Sequence, residues 1–401
     1  MARPQSSTSA LQIGLLWHTF GHVNLGVDAL ARADAELIRR AANDCGAEVR
    51  FVTLGFGARQ DIPNLPSDVT IGPHPSIKQL VRGRSEFLRV VRNSDVVFDI
   101  GEGDSFSDIY GMHRYSFQTG TKIAVLMSGT PLVLAPQTIG PFDNPVRRAL
   151  ATQVMHKATA VYARDDLSTA FLEKVGVRKN IAEFMDVAFA LPFERNAKST
   201  DKVRVGLNVS GLLYNGGYTG KNELGMSLDY QRLNHEIIEA LSSRPNVEVH
   251  LVSHVIGEEG PDTDVPVARK LAARYPGTVL APIFEAAEDV KAYISGMDFM
   301  VAGRMHACIG AFSAGVPVVP VAYSRKFNGL FGTLGYNHFV DGRASTNEAA
   351  LATVLAAFEE RAKLAEDIQV GLGKASIRLA AYQARIASLL TDIMRKKNPQ
   401  A

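Results

Sequence analysis

MDFMVAGRMHACIGAFSAGVPVVPVAYSRKF, Met297 to Phe327, reads as a strand, a short loop, a helix, a second strand and a loop. Phe299 to Ala302 is a short apolar run that Gly303 ends. The helix that follows extends to about Ala314, where Gly315 supplies a left-handed stop and Pro317 prevents continuation. Val316 to Val321 is then the next strand. Strand, helix and strand in this succession make a βαβ unit and predict a parallel sheet.

The same alternation continues outward. At the other end of the chain, Gln12 to Leu16 is a buried strand and His18 to Gly26 a loop. Val27 to Ala42 is a helix with apolar positions at Leu30, Ala33, Leu37 and Ala41. Further strands are predicted at Phe51 to Leu54, Val96 to Ile100, Leu132 to Ala135, Ala160 to Ala163 and Ile181 to Phe184. The polar stretch Glu194 to Lys202 is the best linker candidate, and a second series opens with Val203 to Val209, Val247 to Val252 and Thr278 to Ala281. The pattern predicts an α/β protein of two doubly wound domains, residues 11–193 and 203–397. Ser345 and Glu348 have capping-box spacing ahead of a helix Ala349 to Leu364. A final helix is expected to bury Leu379, Tyr382, Ile386, Leu389 and Ile393 as one stripe.

Length agrees, since 401 residues exceed one ordinary core. Hydrophobic residues at 46% and charged residues at 21% exclude the disordered class. A net charge of +2 gives no general attraction to nucleic acid or anionic membranes, so an anion site has to be local. Cys45 and Cys308 are the only cysteines, which leaves no disulfide framework and no cysteine metal cluster. Cys308 is expected in the core. The polar opening MARPQSSTSA is no secretory signal, and no apolar run reaches the roughly 18 residues of a membrane-spanning helix. A cytoplasmic protein without a transmembrane segment, metal or other cofactor is expected; the oligomeric state stays open.

Arg304 and His306 fall where the helix of the first stretch begins, and Ser324, Arg325 and Lys326 follow the next strand. Both places border the ligand crevice of an open α/β sheet. A helix start offers unpaired N–H groups and a positive dipole end, and Arg304 adds a planar fork for phosphate or carboxylate. Two positions apart on one helix, Arg304 and His306 diverge, so their convergence requires Arg304 to precede the first full turn. From Phe299 to Val340 there is no Asp or Glu, while Arg304, His306, Arg325, Lys326 and His338 are present. The bland account is that strands and a core helix carry few charges, with His306 a packed structural histidine.

These residues carry a resemblance. RMHACIGAFSAGVPVVPVAYSRKF looks like the C-terminal signature of polysaccharide pyruvyl transferases, which join pyruvate from phosphoenolpyruvate to sugar hydroxyls as a ketal. The resemblance implies donor contacts from Arg304, Met305, His306, Tyr323, Arg325 and Lys326, with His306 moving a proton. VYARDDLS at Val161 to Ser168 is similar to another family segment and would make Arg164 a second donor-binding arginine. The competing reading is a helix cap by Asp165 or Asp166 with Arg164 a surface charge. VLAPQTIGPF at Val133 to Phe142 resembles the family's strand and turn, placing Gln137 at a strand end.

FDIGEGDSFSDIYG, Phe98 to Gly111, places Glu102, Asp104 and Asp108 after a strand, and one of these carboxylates could take a proton from an attacking hydroxyl. Here Glu102 stands between Gly101 and Gly103, where the family more commonly has consecutive glycines. Asn24, Gly26 and Asp28 fit the family's opening loop and equally a helix cap. The resemblance implies two Rossmann-like domains facing across a cleft, as in metal-independent GT-B glycosyltransferases. The partners it implies are phosphoenolpyruvate and a sugar, lipid-linked or polysaccharide acceptor. A nucleotide-sugar glycosyltransferase and a non-catalytic carbohydrate-binding protein are the rivals. The lack of a ribose-holding carboxylate from Phe299 to Val340 argues against the former.

Overall fold

A computed structural model describes residues 10–55, 61–76, 85–103 and 106–397. The chain forms two compact units. One comprises Met1–Phe20, Leu30–Val187 and Ile377–Ala401, the other Gly21–Ala29 and Ala188–Ser376.

In the first unit, β1 (Leu11–Leu16), β2 (Val49–Leu54), β3 (Val69–Thr70), β4 (Val96–Asp99), β5 (Leu132–Gln137), β6 (Ala160–Ala163) and β7 (Ile181–Glu183) form one sheet. Its order is β3-β2-β1-β4-β5-β6-β7. All pairings are parallel. The second unit repeats the scheme with β8 (Val203–Asn208), β9 (Val247–Leu251), β10 (Val279–Leu280), β11 (Phe299–Ala302), β12 (Val318–Ala322) and β13 (Val340–Asp341). These are ordered β10-β9-β8-β11-β12-β13, again all parallel. In each sheet the winding direction reverses beside the first strand, between β1 and β4 and between β8 and β11. Crevices for ligands open at the carboxyl ends of such switch points.

The strands expected from apolar runs are present; β3 and β13, of two residues each, are too short to show a period. Helix ends differ more. Thr346, not Ser345, caps the helix Asn347–Glu359, its hydroxyl accepting from the Ala349 N–H at 3.3 Å. Ser345 is held in the preceding turn, where its N–H donates to the Asp341 carbonyl. A new helix, Arg361–Lys397, then runs for 37 residues. Tyr382, Ile386 and Leu390 are fully buried along it, in steps of four residues. Leu379, Leu389 and Ile393, which the expected stripe included, are half-buried. This end belongs to the first unit: the Tyr382 hydroxyl donates to Asp34 Oδ1 at 2.9 Å, and Arg378 pairs with Glu183 at 2.6 Å. Among the described residues no helix is long and apolar enough to cross a membrane.

Candidate functional site

In the second unit the site grows from the end of β11. Gly303 donates to the Asn208 carbonyl at 3.1 Å, continuing the β8 pairing by one step. Arg304 caps the helix Met305–Ser313 with extended backbone, φ −102° and ψ 130°. The arginine therefore precedes the first turn, the position that convergence with His306 demanded. Its N–H is taken by Asn208 Oδ1 at 3.1 Å.

The guanidinium is buried between two carboxylates. Nε and Nη2 donate to Asp264 Oδ1 at 3.1 and 2.8 Å, Nη1 donates to Asp262 Oδ1 at 2.6 Å, and Nη2 also reaches the Asp262 carbonyl. Burial opposes the charge, yet Asp264 and Asp262 outweigh it and raise the pKa of Arg304 further. Asp264 is itself a hub. Oδ1 accepts from the Gly211 N–H, and Oδ2 accepts from the N–H groups of His254 and Val255 and from Asn208 Nδ2. The single-signed charge expected from Phe299 to Val340 is thus corrected in space: the loop after β9 brings two acids onto Arg304. The rule that selected the ends of β11 and β12 would have found Asp262 and Asp264 after β9, had it been applied to every strand end.

His306, half-buried in the first helical turn, packs against the loop after β1. A β-carbon on Gly26 would come within 2.7 Å of His306 Nδ1, Cγ and Cβ. That loop and the helix start at Leu25 are held by two other segments and by bonds of their own. Leu25 N–H donates to the His254 carbonyl at 3.0 Å, and Asp28 accepts from the N–H groups of Gly21 at 2.7 Å and Ala287 at 2.9 Å. Asn24 Oδ1 accepts from Gly26 N–H at 3.1 Å. His254, which the sequence reading passed over, is buried; burial first, and His306 second, push its pKa down to about 3. Lys291 is also buried, its Nζ donating to the Leu191 carbonyl at 2.8 Å. Burial, and then Arg195, lower its pKa to about 7. His254, Lys291 and His306 line one cavity of about 10 Å³.

Met305 is buried, and Tyr323 is half-buried with its ring 5.4 Å from that of Phe327. Tyr323 acts electrostatically on Arg304, which places it in the same neighbourhood. Arg325 and Lys326 begin the helix Arg325–Leu334, but their side chains lie outside what is described. Cys308 is buried, as expected.

In the first unit Glu102 adopts the left-handed region, φ 57° and ψ 36°, which costs a residue with a β-carbon some strain. Its carboxylate accepts from Thr19 Oγ1 at 2.6 Å and from Arg114 Nη1 at 2.7 Å. Asp104 lies outside the described residues. Gln137 is buried, its Nε2 donating to the carbonyls of Asp99 at 2.8 Å and Ala135 at 3.2 Å. Arg164 is no surface charge: it is buried, with Nη1 on Asp186 Oδ2 at 2.6 Å and Nε on Thr138 Oγ1 at 2.9 Å. Asp165 caps the next helix by accepting from Ser168 N–H at 2.7 Å. Beneath them Lys122 and Asp99 form a fully buried pair at 3.0 Å. Both arginines singled out in the sequence therefore carry carboxylate partners. That orders their forks and leaves less of their charge for a ligand.

A family model described as polysaccharide pyruvyl transferase matches residues 24–325. Among curated proteins none matches significantly. Solved structures resemble the chain in fold over nearly its whole length. A protein described as a UDP-N-acetylglucosamine 2-epimerase from Listeria monocytogenes has TM-score 0.58 at 14% identity, covering 98% of each chain. UDP-GlcNAc 2-epimerase from Neisseria meningitidis has TM-score 0.56 at 11% identity, covering 96% of this chain and 100% of that one. Sucrose-phosphate synthase from Thermosynechococcus elongatus has TM-score 0.53 at 12% identity, covering 98% and 100%. At such identities the likeness establishes the fold alone: two parallel-sheet α/β domains of the kind found in GT-B glycosyltransferases and UDP-GlcNAc 2-epimerases.

Proposed function

The chain belongs to the polysaccharide pyruvyl transferase family and is a transferase, and from that premise we propose that it transfers pyruvate from phosphoenolpyruvate to a sugar, forming a ketal. One observation carries the reading beyond the family. At the carboxyl end of β11, Arg304 caps a helix in extended backbone and is followed directly by Met305 and His306.

A sugar hydroxyl attacks C2 of the donor while C3 takes a proton; the C2–O bond to phosphate then breaks, and a second hydroxyl of the same sugar closes the ketal. Two hydroxyl protons are lost, one is gained at C3, and the other leaves with phosphate. The first-turn N–H groups, which lack partners within the helix, together with Arg325 and Lys326 suit the donor's phosphate and carboxylate. Arg304, steadied by Asp262 and Asp264, and Arg164, steadied by Asp186, present fixed forks. Met305, Tyr323 and Gln137 complete the binding groups. His306 protonates C3, and Glu102 or Asp104 receives the hydroxyl proton. The acceptor is a cell-surface polysaccharide or its lipid-linked precursor, and the setting is cytoplasmic.

Incubating the protein with phosphoenolpyruvate and a panel of lipid-linked sugars tests this. Phosphate release that requires the acceptor, with a ketal on the product, is expected. Calorimetry showing no affinity for phosphoenolpyruvate would overturn the reading. Nucleotide release from a nucleotide sugar would instead assign glycosyl transfer, and sugar binding without turnover a carbohydrate-binding role.

A further inference from the structure

The cavity of about 10 Å³ beside His306 has the volume of a single water, and its wall is mostly apolar, from residues such as Ile294 and Ile309. Its polar side chains are His254, Lys291 and His306. His254 is 4% exposed, and its Nδ1 has no hydrogen-bond partner among the described residues. Its backbone is fixed on both sides: the N–H is bonded to Asp264 and the carbonyl receives the Leu25 N–H. A buried ring nitrogen left without a partner costs stability, and in the Nε2–H tautomer Nδ1 is an acceptor that needs a donor.

We propose that the cavity binds one water that donates to His254 Nδ1, and that His254, Lys291 and this water position the ring of His306 and set the pH at which it takes up a proton. The inference rests on reading His306 as the group that moves a proton. Three facts support it. The helix Met305–Ser313 puts His306, Ile309 and Gly310 on one face, and the helix Ala287–Ser295 brings Val290, Lys291 and Ile294 to the same cavity. Three polar side chains on its wall match the two to four partners that an internal water needs. Gly26 closes against the imidazole and limits its rotation.

Lys291 supplies a charge that switches. Burial places its ionisation at about 7, so it is charged in acid and neutral in mild alkali. A like charge lining the same cavity disfavours protonated His306. Other charges on the surrounding elements include Asp28, Glu288 and Asp289, Arg195, and Arg304 with its partners Asp262 and Asp264.

The experiment is a histidine-selective ¹⁵N NMR titration of the full-length protein without substrate. Lys291→Met removes the charge at similar volume and is expected to raise the His306 midpoint by roughly half a pH unit or more. His254→Phe removes the acceptor and is expected to lower the midpoint through desolvation, while His254→Asn keeps an acceptor and restores it. A His306 midpoint that is the same in all variants overturns the proposal, as does a His254 Nδ1 shift typical of an acceptor without a donor. The pH profile of phosphate release from phosphoenolpyruvate should move with the midpoint. If the NMR shifts appear and phosphate release does not, the pyruvyl-transfer reading fails and the cavity assignment stands.

Discussion

The imidazole of His306 fills the space that a side chain at Gly26 would need, so a residue at the start of the helix after the first strand decides where a residue almost three hundred positions later can lie. Gly26 begins a helix and lacks the left-handed backbone that often explains a glycine. Its constraint is steric and comes from the histidine.

Gly26→Ala should therefore act through His306. Turnover is expected to fall by about a hundredfold, the scale of a displaced general acid, with donor affinity changed far less. Combined with His306→Gln it should add little, because both substitutions remove one function. Steady-state kinetics of the two single variants and the double variant measure this, and simple additivity would refute it.

Asp264→Asn should be a folding lesion more than a catalytic one. The carboxylate serves Arg304 and three backbone N–H groups in a buried setting, and breaking a buried ion pair costs about 3–5 kcal/mol. A fall in melting temperature on the order of 10 °C is expected by calorimetry. Arg304→Ala should give a fall of similar size. Loss of donor affinity in an Arg304→Ala protein that melts normally would assign the arginine to the donor alone, without a share in stability.

His254 makes a prediction about acid. Its pKa is about 3 when folded and 6.5 when exposed, so between these values the unfolded chain holds a proton that the folded chain refuses. The contribution is complete above about pH 6.5 and is lost as the pH falls toward 3, with a slope of at most about 1.4 kcal/mol per unit. His254→Asn should flatten stability against pH in that window, as denaturant titrations at several pH values will reveal. An unchanged slope would mean that His254 is charged or solvated in the fold.

Glu102→Gln should separate the two substrates. The carboxylate is held by Thr19 and Arg114, and its proposed task is to receive a proton from the acceptor hydroxyl. Turnover should drop tenfold or more while calorimetric affinity for phosphoenolpyruvate stays within about twofold. Equal loss of both would move Glu102 to the donor.

The alternation of apolar runs and helical periods made the parallel sheets legible, since a strand buried on both faces shows as an unbroken run such as Phe299 to Ala302. Even a cap geometry was readable: the divergence of positions 304 and 306 on a helix forced Arg304 into extended backbone. The acids that meet Arg304 were not, because about forty residues separate them from it along the chain. The last helix was underestimated because Gly371 and Gly373 and the polar residues around them blur its period before Leu379. Arg164 was read from its neighbours in sequence, while its partner Asp186 arrives across β7.

The long helix Arg361–Lys397 has a consequence for biosynthesis. Tyr382, Ile386 and Leu390 belong to the first unit, yet they leave the ribosome after nearly half the chain has been built as the second. The usual order, in which the N-terminal domain closes first, is reversed for the last layer of that unit. Until then Asp34 has no Tyr382 hydroxyl to accept from, and the apolar surface awaiting the helix stays open. A nascent chain stopped at residue 193 would therefore be a client for chaperones.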